Sequence, residues 1–190
     1  IIDGSYFFTA LYNKFEAQWK KRSTLEKHKN SYYDGYEFIN HYMENIPIFI
    51  RELIVSFKIQ SNIPEDSKEC RVYMTRGSKT SWRKNVMGDY QHGVDCRIQP
   101  LLDIIFKDNI GMDGIEIFQN FHLESDDCIA IILNKILDKH PDAFVHIVSK
   151  NKRLIQLETE KVNIVDINRK PFREMSTILS ESCLLYTSDA

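Results

Sequence analysis

Ser125-Asp126-Asp127-Cys128-Ile129-Ala130-Ile131-Ile132-Leu133-Asn134-Lys135-Ile136-Leu137-Asp138-Lys139, then Pro141-Asp142, then Phe144-Val145-His146-Ile147-Val148, is the run that decides the fold. Its first part spaces apolar and charged residues as an amphipathic helix does. Pro141-Asp142 turns the chain, and Phe144–Val148 reads as a buried-type strand. A helix that returns the chain to a buried strand is half of a βαβ unit, which predicts a mainly parallel sheet.

Working outward, Val162–Val165 reads as a further strand and Arg71–Met74 as a short one. Gly111–Phe121 holds another short strand, and Pro100–Phe106 is helical and apolar. At the N-terminus Ile1-Ile2 is strand-like and breaks at Asp3-Gly4-Ser5. A helix is expected from about Tyr6 to Trp19, closed by Lys20-Lys21-Arg22, whose charge suits a helix C-terminus. Residues 23–35 read as a loop, and a second helix is expected over 36–58, with Pro47 starting a new segment inside it. Ser61–Glu69 reads as a loop, and 77–97 as a polar stretch rich in Gly, Ser, Lys and Arg.

The chain of 190 residues, 43% hydrophobic, is long enough for one domain with a real core. Its net charge of −2 argues against a surface that clamps nucleic acid all over, and leaves room for a local basic strip. Cys70, Cys96, Cys128 and Cys183 form no C-x-x-C pair and read as free thiols of an intracellular, reducing compartment. No run approaches the roughly 18 apolar residues of a membrane helix, and no signal peptide is legible. The chain reads as a fragment at its N-terminus, and residues 183–190 read as translated adapter sequence rather than native chain.

In parallel sheets the working residues lie outside the carboxyl ends of the strands. That rule selects Asp3, Thr75, Glu124–Asp127 and Ser149–Arg153. Asp3 alone is an ordinary turn and helix cap. Acids at 124–127 favour a helix N-terminus. Three carboxylates in four residues, Glu124, Asp126 and Asp127, repel one another unless a cation offsets them, and such groups suit magnesium or manganese.

Ile1-Ile-Asp3-Gly-Ser resembles the first motif of the 5′-nuclease family (flap endonucleases and 5′-3′ exonucleases), a strand ending in aspartate. Leu123-Glu124-Ser-Asp126-Asp127-Cys-Ile-Ala130 resembles its central Glu-Ala-Asp-Asp motif. Val145-His-Ile-Val-Ser-Lys-Asn151-Lys-Arg153-Leu-Ile-Gln156-Leu157 resembles its Ser-x-Asp-x-Asp-x-x-Gln-Leu motif. Thr80-Ser-Trp82-Arg83-Lys84, with Asp89-Tyr90 and Arg97, resembles the base of its arch. The match runs in order from residue 1 to about 172 and is closest to versions from large DNA viruses and bacteriophages.

The resemblance implies an α/β three-layer sandwich of the PIN-like type over 1–182, ending before a helix–hairpin–helix element. It implies a phosphodiesterase that cleaves DNA at 5′ flaps or duplex ends, through two divalent metals about 4 Å apart. Asp3, Glu124, Asp126 and Asp127 would be the catalytic and metal-holding residues. Trp82, Arg83, Lys84, Tyr90 and Arg97 would meet the nucleic acid, cations on phosphates and aromatics on unpaired bases. DNA (flap, duplex end or single strand), an RNA–DNA hybrid and a replication protein are the expected partners.

Three acids of the pattern are missing: their places fall on Thr75, Asn151 and Arg153. Facing a permanent guanidinium at 4 Å, even a single charge meets about 4 kcal/mol at an effective dielectric near 20. One magnesium or manganese site is therefore expected, with Arg153 opposing a second. Asp89 and Asp95 either compensate or are solvated loop residues. Three readings follow: a metal-dependent nuclease with a partly degraded site, a non-catalytic DNA-binding paralogue, or an α/β interaction domain whose acids are helix caps. The first two require Asp3 and the Glu124–Asp127 group to converge, with Thr75 and Asn151 beside them.

Overall fold

The computed structural model describes residues 1–25, 35–64, 70–78, 82–86 and 98–171. Asp89, Tyr90, Asp95, Arg97 and the 183–190 tail lie outside these, as does the side chain of Lys84. Among the described residues five strands make one sheet: β1 (Ile2–Asp3), β2 (Val72–Arg76), β3 (Ile115–Gln119), β4 (Val145–Val148) and β5 (Val162–Val165). Their order is β3-β2-β1-β4-β5, and every pairing is parallel.

Among the described residues five helices flank them: α1 (Gly4–Leu25), α2 (Gly35–Gln60), α3 (Trp82–Val86), α4 (Gln99–Lys107) and α5 (Ser125–Lys139). A 3-10 helix, Lys152–Leu157, separates β4 from β5. The three-layer α/β sandwich follows from strand geometry, because successive side chains point to opposite faces. Ile2 and Val148 join the core with Phe8, Tyr42, Ile46, Met74 and Ile105 under α1, α2 and α4. Ile1 and Ile147 join the other core, with Ile129, Ile132 and Leu133 of α5.

Two boundaries differ from the sequence reading. Helix α1 runs on to Leu25 instead of closing at Lys20–Arg22. Helix α2 passes through Pro47 without a new start. Its buried residues Tyr42, Ile46, Ile50 and Leu53 keep one face on both sides of the proline, and that burial outweighs the roughly 3 kcal/mol a proline costs in a helix interior. The short α3 was not legible within the polar 77–97 stretch.

Chain order runs outward from β1 in one direction through β2 and β3, and in the other through β4 and β5. The switch point thus lies between β1 and β4, where parallel sheets open a crevice at their carboxyl ends. Register places Asp3 level with Thr75, and Ile2 level with Val148. The chain after Val148 therefore leaves the sheet beside Asp3.

A candidate functional site at the carboxyl edge of the sheet

Asp3 ends β1 and caps α1. Its Oδ1 accepts the Tyr6 N–H at 3.2 Å. The same oxygen accepts the Ser125 hydroxyl at 2.8 Å, and Oδ2 accepts the Ser149 hydroxyl at 2.8 Å. The Thr75 hydroxyl lies 2.7 Å from that of Ser125, so it takes part in the same buried network. Burial pushes the Asp3 carboxyl above its ordinary pKa, more than its three hydrogen-bond donors offset, and the nearby Asp126 charge adds to the rise. Glycine at position 4 is required by close approach, since a Cβ there would lie 2.6 Å from the Thr75 carbonyl oxygen.

Glu124, Asp126 and Asp127 stand at the first turn of α5, beside this network. Asp127 accepts the Glu124 N–H at 3.1 Å and the Trp82 indole N–H at 3.2 Å. Arg83 forks it: one guanidinium nitrogen reaches Oδ1 at 2.7 Å and the other reaches Oδ2 at 2.8 Å. Paired, parallel bonds of this kind are the strong form of the arginine–carboxylate contact. Burial works against the Asp127 charge, but the Arg83 fork and the two N–H donors outweigh it and hold its pKa below the ordinary value. Arg83 also lies 3.0 Å from Glu124 and 3.7 Å from Asp126, and its guanidinium sits over the Trp82 ring at 4.9 Å.

The chain leaving β4 supplies the other side. Asn151 caps the 3-10 helix, and its side-chain amide donates to Asp126 Oδ2 at 3.3 Å. One guanidinium nitrogen of Arg153 bridges Glu124 and Asp126, 3.3 Å from each. The expected convergence therefore holds for Asp3, Thr75, Glu124, Asp126, Asp127, Asn151 and Arg153. Trp82 and Arg83 join it as partners of Asp127.

The donor chemistry, hard carboxylate oxygens, suits magnesium or manganese. The arrangement does not. Both Asp3 oxygens are taken by hydroxyls, Asp127 is held by Arg83, and Glu124 and Asp126 share Arg153. Among the described residues no group of three acidic, histidine or cysteine side chains is disposed to hold a metal ion. The sequence reasoning asked for a cation to offset the acids, and the fold answers with two guanidinium groups. Ser125 and Ser149 fall within the runs that the strand-end rule selects, but no role was assigned to either from the sequence.

Sheet order, all-parallel pairing and helices on both faces make an α/β fold that is shared with a solved PIN-like structure. The structure is similar to the D15 protein of phage T5 co-crystallised with metal ions: TM-score 0.53, 16% identity, 93% of this chain and 58% of that one covered. It is also similar to the bacteriophage T5 D15 flap endonuclease in a pseudo-enzyme–product complex with DNA and metal ions (TM-score 0.52, 18% identity, 94% and 59% covered). The chain thus spans less than two thirds of the length of either protein. No protein-family profile and no curated protein sequence matches it. No helix among the described residues is long and apolar enough to cross a membrane.

Proposed function

We propose that this chain is a DNA-binding domain of the 5′-nuclease type, with kin among viral and phage members, in which cleavage is weak or lost. The observation that supports this reading is the pairing of Arg83 with Asp127 and of Arg153 with Glu124 and Asp126. Phosphodiester cleavage needs positive charge at the attacking and leaving oxygens. Here Glu124, Asp126 and Asp127, which would hold such cations, are already paired with Arg83 and Arg153. A guanidinium stabilises a phosphate, but it does not lower the pKa of a bound water as a metal ion does. The DNA is a 5′ flap, a duplex end or a single strand; the fold neighbour bound to DNA supports that class of partner.

A second reading is a slow nuclease with one magnesium or manganese ion. It is favoured by the gathering of four acids, Asp3, Glu124, Asp126 and Asp127, at the sheet edge, and by the metal ions co-crystallised with the T5 protein. It requires Arg153 to leave Glu124 and Asp126. The test is cleavage of a labelled 5′-flap DNA with magnesium and with manganese, by the wild type and by the triple substitution Thr75→Asp, Asn151→Asp, Arg153→Asp. Cleavage that is absent or slow in the wild type and rises in the triple variant is expected. A wild type that already cleaves at the variant's rate would contradict the reading.

A further inference from the structure

The residues leaving β4, Ser149-Lys150-Asn151-Lys152-Arg153, place three cations within four positions at the carboxyl edge of the sheet, beside β1. The carboxylate partners of Lys150 and Arg153 lie inward. Lys150 is 3.7 Å from Asp166, and the two side chains are 58% and 9% exposed. Arg153 is 51% exposed, while Glu124 and Asp126 beneath it are 8% and 6% exposed. Lys152 is exposed as well. Asp166 is further held by the N–H groups of Asn168 and Lys170, at 2.8 and 2.9 Å.

Charge at this edge is therefore layered. Glu124, Asp126 and Asp166 are buried and bonded, Asp127 and Arg83 pair just above them with side chains 20% and 18% exposed, and Lys150, Lys152 and Arg153 are the most exposed charges of the group. Five carboxylates, Asp3, Glu124, Asp126, Asp127 and Asp166, stand beside four cations, Arg83, Lys150, Lys152 and Arg153, so the group as a whole carries no excess of positive charge. A ligand approaching from solvent meets the positive layer first. Within a Debye length of about 8 Å the nearest charges dominate what it meets.

We propose that Lys150, Lys152 and Arg153 form a rim that binds the phosphodiester backbone of DNA. This rests on the DNA-binding reading given above and moves the main electrostatic contact from Arg83 to the end of β4. Lysines act as point charges on phosphates, and the Arg153 fork can bridge two phosphate oxygens. Because the rim uses side-chain cations alone, binding does not need a divalent ion.

The experiment measures the affinity of the protein for a fluorescent 5′-flap DNA by anisotropy, in EDTA, across a potassium chloride series. The Lys150→Gln/Lys152→Gln double variant leaves Arg153 on its carboxylates, so folding is spared. It should lower the slope of log affinity against log salt by about 1.5, since each phosphate contact contributes about 0.7–0.9. Affinity at low salt should fall by about tenfold or more. Adding Arg153→Gln should lower the slope by roughly one contact further. Lys139→Gln, at the far end of α5, should leave the slope unchanged. A double variant with the wild-type slope would overturn the rim while leaving DNA binding intact. A wild type that binds no DNA would overturn both.

Discussion

The carboxylate group has two halves that solve one problem in different ways. On the β1 side, Asp3 is wrapped by the hydroxyls of Ser125 and Ser149 and the N–H of Tyr6, with no cation among these partners. On the α5 side, Glu124, Asp126 and Asp127 are held by the guanidinium groups of Arg83 and Arg153. A lone buried carboxylate can be accommodated by neutral donors together with a raised pKa, which lets it approach its neutral form. Three neighbouring carboxylates cannot, because their mutual repulsion needs opposite charge. Hydroxyls therefore suffice for the first half, and the second requires cations.

The largest expected effect comes from breaking the α5 half. Arg83→Ala leaves Asp127 without its fork and removes one cation from Glu124 and Asp126. Breaking a buried ion pair costs about 3–5 kcal/mol. Partial solvent access to Arg83 and Asp127 lowers this to about 2–3 kcal/mol. For a chain of this size that is a fall in melting temperature of roughly 4–12 °C, measurable by thermal denaturation. A variant that melts with the wild type would show that the fork holds nothing.

A smaller effect sharpens the β1 half, and its sign is opposite. The Asp3 pKa is raised in the fold, so its favourable contribution is present below the unfolded value of about 3.9 and is lost as pH rises through the folded value. Asp127 is shifted down, so its contribution is present above about 3.9 and is lost as pH falls through the folded value. Asp3→Asn should therefore flatten the decline in stability on the alkaline side of about pH 4, and leave the acid-side loss attributed to Asp127 in place. Melting curves of both proteins across pH 3–8 check this. Parallel curves for wild type and Asp3→Asn would contradict the burial of the Asp3 charge.

The fold was legible because its signals are local. The apolar run of β4, the helical spacing of α5 and the strand β5 fall at or within one residue of where the sequence places them. Helix α2 was misread at Pro47 because tertiary burial decided a position where local propensity pointed the other way. The site was legible in membership and not in pairing. Position at strand ends selected Asp3, Thr75, Glu124, Asp126, Asp127, Asn151 and Arg153. Which cation would offset the acids depended on where Arg83 lands, about forty residues earlier in a polar stretch without helical or strand periodicity. No spacing rule carries that. The hydroxyl partners of Asp3 were hidden for a related reason: serine at an element end is common, and only the register of β1 with β2 and β4 brings Ser125 and Ser149 onto one carboxylate.

The claim that internal guanidinium groups occupy the place of a cation is tested most directly by calorimetric titration of the DNA-free protein with manganese, comparing wild type with Arg153→Gln. The account predicts at most one manganese ion on the wild type, bound no tighter than about 1 mM, near −4 kcal/mol. It predicts binding tighter by about tenfold, or about 1.4 kcal/mol, once Arg153 no longer bridges Glu124 and Asp126. Two tight manganese sites on the unmodified protein, unaffected by Arg153→Gln, would contradict it.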